Sequence, residues 1–195
     1  MMKTSRKRKR SERGFSMVEL LLVVAIMLVL SAITVPSVMQ SLRVYRLNAS
    51  ATAVQNIMET ARYTAIRRNK IVNLQAAVIN GQNALWVDAA GTGAYVNTDP
   101  VYFLPADMSF APAGAPASGT TGLANTQALG ATGCISFDQR GTVTYAAPCG
   151  AGAPVAWFLS VGLTGNTSYY RGVTVSTMGQ AKAWTGGYGG TWKVM

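Results

Sequence analysis

The residue with the most unusual chemical setting in this chain is Glu19, a carboxylate at the start of a long apolar run. No charged residue occurs between residues 20 and 35. A carboxylate at the centre of a bilayer costs roughly 2.5–3.5 kcal/mol on insertion scales, so such groups usually meet a partner there. The chemistry that Glu19 can offer is therefore ion pairing in an apolar medium rather than proton transfer to a substrate.

The other residues that could do chemistry give little sign of an enzyme. Histidine is absent, which excludes Ser-His-Asp and Cys-His catalysis and histidine-containing metal sites. No spacing pairs two carboxylates as acid and base, because each candidate aspartate lies beside turn residues, where Asp commonly bonds the backbone. These aspartates are Asp88, Asp99, Asp107 and Asp138. We therefore expect no catalytic residue, no metal and no cofactor.

The two cysteines, Cys134 and Cys149, cannot form a four-thiolate metal site. Export of this part of the chain from the cytoplasm would allow them to pair. The bridge would close a loop of about 16 residues and contribute roughly 3 kcal/mol of stability. We expect a disulfide, with two free thiols as the alternative, and this cysteine usage fits an extracytoplasmic domain.

The net charge of +10 is concentrated in the first 14 residues. This leader carries seven of the 17 basic residues and one of the seven acidic residues, so the rest of the chain has 10 basic and 6 acidic residues. The end of a membrane span that carries the excess of cations usually stays on the cytoplasmic side. The basicity therefore predicts membrane orientation better than it predicts nucleic-acid binding.

The element that must position Glu19 is a long helix. Residues 15–35 would form about 32 Å of helix, enough to cross the hydrocarbon core of a bilayer. Pro36 follows and should kink the helix or end it. Apolar residues then recur every three or four positions between residues 44 and 65, the pattern of an amphipathic helix. We predict one long bent helix over residues 15–69, hydrophobic in its first half and amphipathic in its second.

The pattern of residues 70–195 predicts a β-rich head, giving an α+β fold in which the helix packs on an antiparallel sheet or sandwich. Residues 71–75 and 85–87 favour a hairpin around a turn at residues 80–83, and residues 138–141 favour a tight turn. Residues 111–133 carry no charge and predict a long flexible loop, and the glycine-rich residues 186–190 predict flexible punctuation near the C-terminus. Further strand candidates are residues 101–104, 134–137, 142–145, 156–161, 171–177 and 180–184.

Two simpler interpretations of the N-terminus explain less. An ordinary secretory signal, cleaved near residues 31–32, has no use for Glu19 and no reason for a helical pattern that continues past the cleavage point. A plain membrane anchor with Glu19 at the interface explains the orientation, but it does not explain the boundary between Gly14 and Phe15.

The stretch Gly14-Phe15-Ser16-Met17-Val18-Glu19-Leu20, with the apolar run and Pro36 after it, resembles the class III signal of type IV pilins and type II secretion pseudopilins. The resemblance covers about residues 8–45. It implies that a membrane aspartic peptidase, the prepilin peptidase, removes residues 1–14 by cutting between Gly14 and Phe15. It also implies that Phe15 is N-methylated and that Glu19 pairs with the α-amine of a neighbouring subunit during filament assembly.

The rest of the chain resembles the GspH/FimT branch, which comprises pseudopilin H and related minor pilins. The matching stretches are residues 61–69, 135–141 and 171–179. This resemblance implies a subunit that primes or caps a filament, with other pilins and an inner-membrane assembly platform as partners. It implies a single-pass protein of the bacterial inner membrane with a periplasmic or extracellular head. A type IV pilus and a type II secretion pseudopilus both remain open.

Some minor pilins of this branch bind DNA through a glycine followed by arginines near the C-terminus. The matching stretch is Gly179-Gln180-Ala181-Lys182, where Gln180 stands at the first arginine position. Arg171, Lys182 and Lys193 could still form a small basic face, but three cations neutralise few phosphates and would bind weakly. Nucleic acid is therefore a minor alternative partner, with Arg171 and Lys182 as its contacts.

Overall fold

We describe the protein from a computed structural model. It describes residues 15–110, 126–129, 133–144, 149, 156–164, 169–186 and 191–195. The chain divides into two compact units, Met1–Leu42 and Arg43–Met195, and one helix begins in the first and ends in the second. The elements are α1 (Met17–Arg68), β1 (Val72–Ile79), β2 (Gln82–Asp88), β3 (Val101–Phe103), β4 (Met108–Phe110), β5 (Thr126–Leu129), β6 (Gly133–Phe137), β7 (Val143–Thr144), β8 (Ala156–Leu163), β9 (Tyr170–Ser176), β10 (Ala181–Gly186) and β11 (Trp192–Val194).

The second half of α1 buries the apolar stripe that its sequence predicts. Val44 is only half-buried, whereas the next apolar positions at helical spacing are buried. α1 continues through Pro36, so the proline does not end the helix, and the kink stays a prediction. The buried side chains of α1 are Leu47, Ser50, Ala51, Val54, Ile57, Met58, Ala61, Thr64 and Ala65.

α1 ends at Arg68 through a left-handed residue. Asn69 has φ 49°, and its N–H donates to the Ile66 carbonyl at 3.2 Å. The Lys70 N–H donates to the Ala65 carbonyl at 3.3 Å. This pair of bonds is the Schellman motif, which satisfies carbonyls that the last turn would leave without partners. The helix therefore stops one residue before the predicted boundary.

The strands form two sheets. One has the order β3-β2-β1-β6-β7, and the other has the order β11-β10-β9-β8-β4, with β5 beside β8. Every pairing is antiparallel except that of β5 with β8. Both sheets contribute to the same hydrophobic cluster as α1, for example through Leu74 and Val173. The predicted α+β class, a long helix packed on antiparallel sheets, is confirmed.

The predicted hairpin is present, and its turn is shorter than expected. Asn80 and Gly81 have φ values of 51° and 80°, and Ile79 pairs with Gln82 across them. Two central residues with positive φ make a type I′ turn, whose twist matches that of the flanking strands. Gln82 and Asn83, which the sequence places in the turn, therefore belong to β2.

The prediction of a loop over residues 111–133 is wrong in part. Residues 126–129 form β5, which pairs in parallel with β8 in the register Thr126 to Ala156, and Gly133 begins β6. The composition of this stretch predicts a loop, but β8 supplies a pairing partner about 30 residues away that composition does not reveal. Residues 111–125 and 130–132 lie outside the described residues, as do residues 187–190 of the predicted tail.

Two tight turns meet against α1 where the two sheets approach. In the turn of residues 138–141, the Gly141 N–H donates to the Asp138 carbonyl, and the Gly179 N–H closes the turn of residues 176–179 on Ser176. The Arg62 Nε donates to the Gly141 carbonyl at 3.0 Å. We call these two segments the paired turns, because they link α1 to both sheets.

Candidate functional site

Glu19 lies in the first turn of α1 and is exposed. Phe15 and Ser16 precede the helix, and the first helical bond runs from the Leu20 N–H to the Ser16 carbonyl at 3.1 Å. Gly14 and the rest of the leader lie outside the described residues. A carboxylate in the first turn interacts favourably with the positive end of the helix dipole, so the helix itself tolerates Glu19 at this position.

Ser16 adds a feature that the sequence reasoning missed. Ser16 and Glu19 have the residue types and spacing of a capping box, in which serine begins the helix and a glutamate three positions later faces back to it. The signal was present in the sequence as Ser-x-x-Glu. Glu19 therefore has two possible uses, capping its own helix and pairing with a cation of a neighbour, and any test of one must control for the other.

The first half of α1 presents apolar side chains on all sides. Eighteen large hydrophobic side chains between Phe15 and Leu42 are exposed, among them Met17 at 82% and Leu28 at 67%. Soluble monomers rarely expose a contiguous apolar surface of this size, so the segment fits a lipid or protein environment outside its own chain.

By length and composition, α1 is able to cross a membrane. Its most apolar stretch of 18 residues has a mean hydropathy of 2.8, and none of this stretch is buried within the protein. It is the single helix of this kind in the described part of the chain. Signal sequences near an N-terminus share these properties.

The predicted disulfide is present. The sulfurs of Cys134 and Cys149 are bonded, with 5.0 Å between the Cα atoms. The bridge attaches Cys149 to β6, whose Cys134 lies opposite Gln75 of β1. No free cysteine occurs in the chain.

The structure does not bring Arg171 and Lys182 onto one basic face. Arg171 and Val173 lie on the same face of β9, the face that packs against the core. Arg171 is only 8% exposed. Its Nε donates to the Asn48 Oδ1 at 2.6 Å, and Nη1 donates to the Tyr170 carbonyl at 2.7 Å. Lys182 pairs with Thr174 and therefore points to the opposite face of the sheet. The two residues of the predicted DNA contact therefore do not share a face, which the sequence pattern did not show, and DNA contact itself stays a prediction.

Three of the four candidate aspartates, Asp88, Asp99 and Asp138, accept backbone N–H groups, as their turn-like surroundings predict. Asp138 Oδ1 accepts the N–H groups of Arg140 and Thr142 at 2.9 and 2.8 Å. Asp99 Oδ2 accepts the Val96 N–H at 3.1 Å. Among the described residues, no cluster of three or more potential metal ligands occurs.

Asp88 is fully buried at the end of β2 and organises the loop that follows. Its Oδ1 accepts the N–H groups of Gly91 and Thr92, and its Oδ2 accepts the Gly93 N–H and the Gln75 Nε2. Burial alone would raise the pKa of Asp88, but these hydrogen bonds outweigh it and lower the pKa. The Asp88 carboxylate therefore has a structural role as an anion that accepts these hydrogen bonds.

Asp88→Ala should lower the free energy of unfolding by about 3 kcal/mol at neutral pH, because three backbone donors lose a charged acceptor. Asp99→Ala is the matched control and should cost much less. Because the folded pKa of Asp88 lies below its ordinary 3.8, its contribution is complete above that value and is lost as the pH falls through the folded pKa. Urea unfolding at neutral and at acidic pH measures both effects. A cost for Asp88→Ala that does not shrink at acidic pH would contradict the ionised role.

Comparison with known proteins gives a match at the N-terminus. Residues 9–35 match the family model described as the prokaryotic N-terminal methylation motif. The matched range contains Gly14, Phe15 and Glu19 and ends just before Pro36. No curated protein matches the chain.

Among solved structures, the crystal structure of the type IV minor pilin FimU from Pseudomonas aeruginosa strain PAO1 aligns with this chain at a TM-score of 0.47. The sequence identity is 16%, and the alignment covers 69% of this chain and 85% of the FimU chain.

Proposed function

We propose that this type IV pilin-like chain, which carries the N-terminal methylation motif at residues 9–35, is a minor pilin or pseudopilin that primes or caps a filament. Pilin-like proteins are structural subunits rather than enzymes. In this proposal the prepilin peptidase cuts between Gly14 and Phe15 and methylates Phe15, and the processed subunit then leaves the membrane to join other pilins. The observation that carries the proposal is an exposed apolar helix that begins directly after the motif and holds one carboxylate, Glu19.

The exposed apolar half of α1 supports storage in a membrane and later assembly. Its side chains are compatible with lipid, and they are equally compatible with the helices of neighbouring subunits, because association within lipid depends on packing rather than on removal of water. The transfer from bilayer to filament core therefore exchanges one apolar environment for another. Such a helix needs no refolding to serve in both places.

A charge pair between subunits is the proposed role of Glu19. Cleavage after Gly14 would leave a positively charged α-amine on Phe15, four residues before the carboxylate. In an apolar filament core, the amine of one subunit and the Glu19 carboxylate of its neighbour would each be costly alone and would be compensated together. A buried pair of this kind fixes the register between stacked helices.

The proposed orientation places the leader in the cytoplasm and the head outside the inner membrane. The seven cations of residues 1–14 favour the cytoplasmic side. The Cys134–Cys149 disulfide supports the same orientation, because disulfides form and persist in the periplasm or outside the cell rather than in the cytosol.

Gly14→Val should block leader removal, because the cleavage site would no longer carry the residue that the peptidase motif requires. The expected product in the membrane fraction is heavier than the processed wild type by residues 1–14, as intact-mass spectrometry would show. Ser5→Val is the control, since it places the same bulky side chain elsewhere in the leader and should be processed normally. Normal removal of the leader from Gly14→Val would contradict the proposed processing.

The type of filament is open to a direct test. Deletion of this subunit should reduce twitching and DNA uptake if the filament is a type IV pilus. It should instead reduce protein export if the filament is a type II secretion pseudopilus. Deletion that leaves all three processes at wild-type level would overturn the assembly function itself.

A further inference from the structure

We infer that Arg43, Tyr45 and Arg46 form a collar that binds the headgroups of anionic phospholipids in the outer leaflet. The collar would hold the subunit at a fixed depth before assembly. The inference rests on the proposed storage of residues 17–42 in the inner membrane.

The position of the collar along α1 matches the thickness of a bilayer. From Met17 to Leu42, α1 extends roughly 39 Å at 1.5 Å per residue. A bilayer with its headgroup regions is about 40–45 Å thick. When the start of α1 lies at the cytoplasmic interface beside the leader cations, Arg43 therefore reaches the opposite headgroup layer.

The collar side chains are not used by the fold of the head. Arg43 and Arg46 are exposed, and Tyr45 is 71% exposed, whereas the buried stripe begins only at Leu47. Arg43 and Arg46 are three residues apart and so lie on the same side of the helix. Tyrosine is enriched at headgroup level because its ring is apolar and its hydroxyl is polar.

The charge around the collar favours an anion. No acidic residue occurs between residues 20 and 58, and neither arginine has an ion-pair partner in the described part of the chain. The buried guanidinium of Arg171 lies against Asn48, two residues beyond the collar, and adds to the positive potential. Phosphate is the anion that a bilayer surface presents at this depth, and juxtamembrane arginines are attracted to anionic lipids.

A second arginine pair on the same helix has a different explanation. Arg67 and Arg68 occupy the last turn of α1, where cations interact favourably with the negative end of the helix dipole. Arg43 and Arg46 lie in the interior of α1, where the dipole offers no such stabilisation. Arg67 and Arg68 therefore provide a matched control with the same charge and the same helix.

The test uses the full chain in vesicles of phosphatidylcholine, alone or mixed with an equal part of phosphatidylglycerol. A fluorophore is attached through Ala49→Cys, an exposed position one turn beyond Tyr45, while the native cysteines are bridged. Phosphatidylcholine with a nitroxide on its headgroup serves as the quencher. Because the readout is local to position 49, lipid binding by the leader does not contribute.

Quenching should be stronger in the phosphatidylglycerol mixture than in phosphatidylcholine alone. The double variant Arg43→Gln with Arg46→Gln should lose that difference, since each arginine contributes about fivefold to association with anionic headgroups and the pair roughly 30-fold. Arg67→Gln with Arg68→Gln should retain it. Equal quenching in both lipid mixtures, or an equal loss in both double variants, would overturn the collar.

Carbonate extraction of the same vesicles separates this inference from the proposed function. If the wild-type protein resists extraction but the quenching does not depend on Arg43 and Arg46, the collar is contradicted and membrane storage is not. If carbonate removes the wild-type protein, membrane storage fails and the collar fails with it.

Discussion

Glu19→Ala should leave removal of the leader intact and reduce incorporation of the subunit into filaments by hundreds to thousands of fold. Without the carboxylate, the α-amine of a neighbouring Phe15 would be buried without a counter-charge. Breaking a buried pair in this way costs about 3–5 kcal/mol, which corresponds to that range in an association constant. The measurement is the ratio of subunit in sheared filaments to processed subunit in the membrane.

Glu19→Gln separates ion pairing from helix capping. Glutamine serves in a capping box as glutamate does, but it carries no charge. If the ion pair is the reason for the defect, the glutamine variant should fail to assemble almost as severely as the alanine variant. Normal assembly of Glu19→Gln would instead indicate that the residue acts by capping its own helix. Normal assembly of Glu19→Ala would contradict both roles.

Gly179→Ala should lower the free energy of unfolding of the head by at least about 3 kcal/mol. Gly179 has φ +73°, and a Cβ there would lie 2.0 Å from the Gly141 carbonyl oxygen and 3.0 Å from the Arg62 Nε. The carbonyl cannot move aside without giving up its hydrogen bond from Arg62. Urea unfolding in detergent, followed by the head's tryptophan fluorescence, measures the loss.

Gly81→Ala is the matched control for backbone strain. Gly81 has φ +80°, but a Cβ there would meet nothing within 4 Å. Its substitution should therefore cost only about 1 kcal/mol, the ordinary penalty for alanine at positive φ. Similar costs at the two positions would show that the paired turns adjust freely, contrary to the clash expected between a Cβ at position 179 and the Gly141 carbonyl oxygen.

The parts of the fold that follow from local pattern were predictable. The helical spacing from Leu47 to Ala65 predicts the buried stripe, and Asn80-Gly81 predicts the hairpin turn. β5 and β11 were not predictable, because their short sequences carry little preference. β5 pairs with β8, which is about 30 residues away, and β11 pairs with β10, from which a glycine-rich stretch separates it in the sequence. Long-range pairing decides such segments, and sequence periodicity does not report it.

The candidate site also has a part that the sequence predicts and a part that it does not. The junction at Gly14 and Phe15 and the carboxylate of Glu19 are visible as a linear motif, since all of their information lies within a few consecutive residues. The inward position of Arg171 is not visible, because it depends on which face of β9 meets α1. A one-residue change of register would have turned the same arginine to the opposite face of the sheet.

The packing of the second half of α1 in the core of the head has a mechanical consequence. Within the head, the buried stripe from Leu47 to Ala65 runs along the helix axis and packs against both sheets. A force along that axis would load these contacts together in shear, so that many of them must yield at once. The packing of the head's own core therefore resists such a force.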